Sequence, residues 1–345
     1  MQNKIDNNYN LLQEIFDLVW YKLFPDDKPK TTKEELQELF PTLPKEVKYK
    51  LPSKEDKLKF RIPIGESFNN KIVYWNPNSI PHVLCCGATG SGKSVCTKSI
   101  LSSILNMFDE KQIEVTLIDF KIIELNAFRN CKQVIKYTYE VNEGIEIIAD
   151  TLDECRNRYK LFQEYEVTNL IDFNKKSKNK LKYQFIFIEE FIVLSQHKNG
   201  IKMLNELISL SRAAGIFIYI SCQRPDHTII SNIIKCNVGN KICFRTEDSK
   251  NSVIILDKEG GEKLEGCGHG LLKQGSKITE FRGYYISDEQ VKEFIKPYIK
   301  SKSKIENKPI DNKTIEETNK TSLRATQSLT EAKDNIIDLS FLEKI

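Results

Sequence analysis

Histidine is scarce in this sequence: there are four in 345 residues. None stands at metal-ligand spacing from a cysteine pair, which argues against a structural zinc site. Long apolar runs are missing too. No stretch of eighteen apolar residues occurs, so no transmembrane helix is expected, and the polar, Asn-rich first ten residues do not read as a secretory leader. Charge of one sign is also lacking. The 52 Lys+Arg against 48 Asp+Glu leave a net charge of +4, too little for bulk electrostatics to mark a nucleic-acid binder. Any such contact has to come from local patches. The nine cysteines are odd in number and form no CxxC pair; most lie in apolar runs such as Val83-Leu84-Cys85-Cys86. That usage fits buried thiols in a reducing, cytoplasmic setting. What is there is an ordinary globular balance, 40% hydrophobic and 29% charged, on a chain long enough for a sizeable core.

The chain divides into three stretches. Residues 1–55 read as a helical N-terminal segment. Leu11, Leu12, Ile15, Phe16, Val19, Trp20, Leu23 and Phe24 recur at helical spacing, and a second short helix over 33–40 is bounded by Pro41 and Pro44. Its apolar face suits packing on a neighbouring domain or subunit; an interfacial membrane helix is the alternative, disfavoured by the mixed charge of the polar face. Residues 56–299 alternate short apolar runs with amphipathic stretches. Strands are expected over 59–64, 71–75, 82–86, 113–119, 133–138, 184–189, 216–222, 241–245, 270–273 and 280–286, and helices over 93–107, 142–165 and 201–214. Fully apolar strands alternating with helices predict an α/β fold with a mainly parallel sheet covered on both faces. Residues 300–345 turn polar and read as a flexible, disordered tail. Its last twelve residues regain apolar character, and docking on a partner or on the chain's own body are both open.

The strongest motif is Gly87-Ala88-Thr89-Gly90-Ser91-Gly92-Lys93-Ser94, followed by Val95. It matches the P-loop pattern GxxxxGK[ST], between an expected strand and an expected helix. The glycines let backbone N–H groups cradle phosphates at the positive end of the helix. Lys93 is expected on the β- and γ-phosphates of ATP and Ser94 on Mg²⁺. Phe185-Ile186-Phe187-Ile188-Glu189-Glu190 then reads as an apolar strand ending in two carboxylates, as a Walker B strand does. Glu189 is assigned to Mg²⁺ and Glu190 to the general base. Gln223 closes the apolar strand 216–222 within Ser221-Cys222-Gln223-Arg224-Pro225, placed to hydrogen-bond a γ-phosphate. Arg212, in Arg212-Ala213-Ala214-Gly215, stands at a helix end among small neighbours, from which it could reach an adjacent subunit's ATP.

Together with Ile62-Pro63-Ile64-Gly65, Leu117-Ile118-Asp119-Phe120-Lys121, Glu124-Leu125, Gly266-Cys267-Gly268 and Arg282-Gly283, these segments resemble the FtsK/SpoIIIE family of DNA-pumping ATPases over about two thirds of the chain. The resemblance implies a RecA-like P-loop NTPase core, a homo-oligomeric ring, usually a hexamer, with double-stranded DNA in its channel and ATP between subunits. It implies Arg212 as a trans-acting arginine finger and Arg224 on a pore loop near the DNA backbone. A second pore segment corresponds to residues 247–253. There Val253 stands where members often carry Arg, a lack that Lys250 or Arg245 could compensate. Glu189 replaces the usual Asp. Nothing resembles the membrane anchor of the cell-division members, and the tail is short for their winged-helix module. A compact DNA translocase serving a plasmid, conjugative element or phage is the expectation, at a membrane only through a partner of the N-terminal helix or tail. A protein-secretion ATPase of related fold and a low-turnover nucleotide-binding assembly factor are the alternatives. Five lysines within 174–182 read first as a solvated loop, with a DNA-facing one as the alternative.

Overall fold

The computed structural model describes residues 42–223, 225 and 229–300. The helical patterns over 11–24 and 33–40, Arg224, and the tail beyond Lys300 lie outside the described residues. The described strands are β1 (Val47–Lys48), β2 (Ile62–Glu66), β3 (Ile72–Trp75), β4 (Val83–Cys86), β5 (Ile113–Asp119), β6 (Val134–Thr138), β7 (Tyr183–Glu189), β8 (Ile216–Cys222), β9 (Asn240–Phe244), β10 (His269–Gln274) and β11 (Lys277–Tyr285). They share one sheet in the order β3-β2-β11-β10-β9-β4-β8-β7-β5-β6, with β1 beside β11. The run from β9 to β6 is parallel. From β10 outward to β3 the sheet is antiparallel.

The central parallel strands β4, β7 and β8 carry near-continuous apolar runs, because both of their faces are covered. The two faces take different side chains. In β7 and β8, Phe185, Phe187, Phe217 and Tyr219 point to one side, and Ile186, Ile188, Ile216, Ile218 and Ile220 to the other. The aromatic side forms a cross-strand ladder, with ring centroids 5.2 Å apart for Phe185–Phe217 and 5.1 Å for Phe187–Tyr219. Helices α1 (Lys54–Leu58), α2 (Lys93–Met107), α3 (Val141–Glu164), α4 (Leu170–Lys176), α5 (Ile192–Ser195), α6 (Lys198–Leu210), α7 (Asn232–Asn237), α8 (Ser249–Leu256) and α9 (Asp288–Ile295) complete the described elements. Helices α2 and α9 cover the aromatic face through Ile100, Leu101, Ile104, Leu105, Val291 and Ile295. The aliphatic face is covered by α3, α6, α7 and α8 through residues such as Ile148, Leu152, Leu204, Leu207, Ile234 and Ile255. Each such side chain, fully buried, contributes about 1.5–3 kcal/mol.

Elements β5, β8 and α2 run over their expected residues. Three expectations are corrected. The strand expected from 59 begins at Ile62, because Lys59 closes α1 and Phe60 turns with a φ of 48°. The strand expected from 280 starts at Lys277, because residues 277–282 pair with β10. The helix expected over 201–214 spans Lys198–Leu210. Its C-cap is Ser211, and the chain then turns through 212–215, with Gly215 at a φ of 72°, to enter β8. A Cβ there would sit 2.3 Å from Leu170 Cδ2. The short helices α1, α4, α7, α8 and α9 had too few turns to show periodicity. Seven of the nine cysteines are buried, and none is in a disulfide. Among the described residues no helix is long and apolar enough to cross a membrane.

Candidate nucleotide-binding and hydrolysis site

Strand β4 lies between β8 and β9, and its end is in register with both, Cys86 opposite Cys222 and Cys243. The chain leaving it is tied to both neighbours. Gly87 N donates to Cys222 O at 3.4 Å and Ala88 N to Arg245 O at 2.8 Å. The loop then turns into α2 at Gly92, which adopts a φ of 109°. Only glycine fits, because a Cβ would lie 2.5 Å from Gly268 N. The 266–268 loop closes on the P-loop in turn, with Gly268 N donating to Ser91 O at 2.9 Å. Buried Arg282 pins that loop through Gly266 O at 3.1 Å and Glu265 Oε2 at 2.8 Å. Above the turn is a cavity of about 520 Å³ lined by Ala88, Thr89, Gly90, Gly92, Lys93, Ser94 and Val95, with Glu124 and Gln223 on one side and Val47, Tyr284 and Tyr285 on another. This is the carboxyl end of a parallel sheet, where α/β folds take ligands.

The two carboxylates expected from the Walker B pattern stand at the tip of β7, and they are differently engaged. Glu189 is fully buried. Its Oε2 accepts from Lys93 Nζ at 3.1 Å and its Oε1 from Thr97 Oγ1 at 2.8 Å. Lys93 also donates to Ser221 Oγ at 2.6 Å, and Tyr219 OH lies 3.1 Å from Thr97 Oγ1. A threonine hydroxyl has one proton, so if it goes to Glu189, Tyr219 is the donor to Thr97. Burial pushes hardest against the Lys93 charge, but Glu189, Cys85 and Glu190 together outweigh it, and the ammonium is held above its usual range. Glu190 has a left-handed φ of 57°, a conformation that costs a non-glycine residue about 1–3 kcal/mol and tends to collect at functional sites. Its Oε2 forms an ion pair with Lys121 Nζ at 2.7 Å.

The structure therefore brings Lys93 and Glu189 together, and it does not bring Glu189 to Ser94. The Ser94 hydroxyl donates instead to Glu124 Oε1 at 2.8 Å. Glu124 sits on a loop fixed by Asp119, whose carboxylate accepts from Lys121 N at 3.2 Å and Leu125 N at 2.8 Å. Burial raises the Asp119 pKa, with those two N–H groups opposing the shift. Thr97 and Tyr219 are contacts that sequence reasoning missed, and Lys121 and Glu124 were noted there without a task. For a divalent cation, a hydroxyl and carboxylate oxygens facing a phosphate cradle are the hard oxygen donors that Mg²⁺ takes. Among the described residues no group of three His, Cys, Asp or Glu could hold a metal alone, as suits an ion shared with phosphates and water.

Gln223 lines the cavity. Arg212 does not. It is exposed in the turn before β8, where its Nη2 donates to Asn78 O at 3.3 Å. Gln223 follows the other end of that seven-residue strand, about 20 Å away at ~3.3 Å per residue. Arg245 and Lys250 are exposed at the P-loop end of β9 and in the first turn of α8. Of the lysines within 174–182, Lys175, Lys176, Lys180 and Lys182 have partners within the chain: Asp172, the Tyr165 and Glu166 carbonyls, Asn174 O and Glu114.

Comparison with known proteins gives the family and the fold. The model of the FtsK/SpoIIIE family matches residues 45–264. The DNA translocase FtsK of Borreliella burgdorferi is 33% identical over 268 residues, 72% of this chain and 34% of that protein. The chain spans about a third of the length of the curated relatives it matches. Among solved structures, the pCW3 conjugation coupling protein TcpA, in its monomer form with ATPγS, superposes with a TM-score of 0.65 at 27% identity, covering 74% of this chain and 75% of that one. EssC (ATPases 2 and 3) from Geobacillus thermodenitrificans shares the fold, with a TM-score of 0.67 at 20% identity over 75% of this chain and 51% of that one. The family match spans the P-loop, the acid pair, Arg212 and Gln223, and the chain belongs to the FtsK/SpoIIIE family.

Proposed function

We propose that the chain is an ATPase that couples hydrolysis to movement along double-stranded DNA, as one subunit of a ring of its own copies. The observation that carries this reading is a phosphate cradle with Lys93 beside two carboxylates at the tip of β7, in a member of a family whose named relatives are DNA translocases. The backbone N–H groups of the P-loop and the start of α2 bind the phosphates of ATP. Lys93 leaves Glu189 for the β- and γ-phosphate oxygens. Ser94 and the freed Glu189 would hold Mg²⁺, which when bound would supply neutralising charge beside those oxygens. Glu190 acts as general base on the attacking water, and Gln223 hydrogen-bonds the γ-phosphate. Arg212 stands too far along β8 to serve its own cradle, so it supplies charge to the ATP of a neighbouring copy. Arg224, Arg245 and Lys250 are the proposed contacts to the DNA backbone.

The likeness to a conjugation coupling protein supports a role in transfer of a plasmid or similar element. The test is ATP hydrolysis by the purified chain with and without linear double-stranded DNA, at 50 and at 200 mM salt. Stimulation by DNA that fades at the higher salt is expected from phosphate contacts. ATP turnover indifferent to DNA at both salts contradicts the reading and points to a protein substrate.

A further inference from the structure

Ser94 and Glu189 are the pair that sequence reasoning gives to the metal, yet both Glu189 oxygens are taken, by Lys93 at 3.1 Å and Thr97 at 2.8 Å. The carboxylate at the Ser94 hydroxyl is Glu124, 2.8 Å away. It lines the same cavity as Lys93 and Ser94. A serine hydroxyl carries one proton and two lone pairs. Giving the proton to a carboxylate orients the lone pairs toward a cation and makes the oxygen a better donor, as carboxylates do for metal-bound histidines. Glu124 is also held for this task. Asp119 fixes the loop by accepting from Lys121 N and Leu125 N, and the Leu125 side chain anchors it in the core at 0% exposure. The second Glu124 oxygen faces Lys98 Nζ at 3.9 Å.

We propose that Glu124 is a positioning residue for the divalent cation of the bound nucleotide, acting through the Ser94 hydroxyl. This rests on the ATP-binding reading above. Glu189 holds Lys93 and Thr97 before ATP arrives and is released toward the cation only when Lys93 moves, whereas Glu124 orients the Ser94 hydroxyl from the start.

The test measures the affinity of the full chain for a fluorescent ATP analogue by anisotropy, once with Mg²⁺ and once in EDTA. Thermal melts of Glu124→Ala and Glu124→Gln serve as fold controls. Glu124→Ala is expected to lower the Mg²⁺-dependent gain in affinity about 10–100-fold, while binding in EDTA is no weaker than wild type. Glu124→Gln, which keeps an acceptor oxygen, falls between. In a Ser94→Ala background, Glu124→Ala adds nothing further, because the two residues act as one unit. A full Mg²⁺-dependent gain in Glu124→Ala overturns the proposal alone, as does an equal loss with and without Ser94. A wild-type chain that binds the analogue equally well with and without Mg²⁺ also overturns the proposal, and one that binds it in neither condition overturns the ATP reading as well.

Discussion

At the scale of single residues, the site is a buried polar network in which few groups could change alone. Tyr219, Thr97, Glu189, Lys93 and Ser221 form one connected chain of hydrogen bonds, and such networks are costly to break because an orphaned member stays desolvated. His82 shows the same economy outside the site. Its Nδ1 accepts from Ile218 N at 3.1 Å, and its Nε2 lies 3.0 Å from the Ile208 carbonyl. A carbonyl only accepts, so Nε2 carries the proton and the ring is neutral. Burial pushes its pKa down from 6.5 to about 4. The unfolded chain therefore takes the proton first. Stability from this ring is complete above pH 6.5, is lost as pH falls toward 4, and changes no further below that. The loss amounts to about 3 kcal/mol at most. Urea denaturation at pH 7 and pH 5 should show wild type losing more stability than His82→Gln; equal losses would contradict this. The site's local motifs were legible in sequence, because the P-loop and the acid pair are contiguous. Its partnerships were not. Ser94 and Glu124 are 30 residues apart, and Thr97 and Glu189 are 92 apart, and only the order of β4, β5, β7 and β8 in the sheet brings them together.

At the scale of elements, turns decide what the motif can do. Gly90 and Gly92 both have positive φ, 74° and 109°, but a Cβ on Gly90 meets nothing within 4 Å, whereas on Gly92 it meets Gly268 N at 2.5 Å. Gly90→Ala should therefore cost only the backbone strain, about 1–2 kcal/mol. Gly92→Ala should cost more and push the 266–268 loop off the P-loop. Denaturation midpoints of the two variants give the comparison, and equal midpoints would contradict it. Long elements were legible because their pattern repeats: α2, β5 and β8 stand over the residues where periodicity puts them. Helix α6 was overextended because Arg212-Ala213-Ala214 is good helical sequence and a left-handed glycine at 215 also suits a helix ending at 214; the chain instead leaves the helix at Ser211. The capping box of Ser287 with Gln290 was an available signal for α9. The two-residue strand β1, seated beside β11, has no pattern to read.

At the scale of the whole molecule, the sheet separates two halves of one proposed catalytic unit. Lys93, Glu190 and Gln223 cluster at the carboxyl ends of the parallel strands, and Arg212 stands at the opposite end of β8. A head-to-tail ring would join them, since heterologous contacts generate rings when the rotation closes. Arg212→Ala should then abolish ATP turnover alone. Mixed with inactive Lys93→Ala, it should regain part of that turnover, because some junctions pair an intact cradle with an intact arginine. Hydrolysis assays over a range of mixing ratios read this, and activity that never exceeds the sum of the separate variants would contradict the trans role. The central claim is that ATP hydrolysis moves this chain along double-stranded DNA. The most direct measurement is displacement of a third strand annealed to a DNA duplex. The account predicts release by the wild-type chain with ATP, and none with Glu190→Gln or without ATP. Steady ATP hydrolysis on the same DNA with the third strand left in place would contradict it.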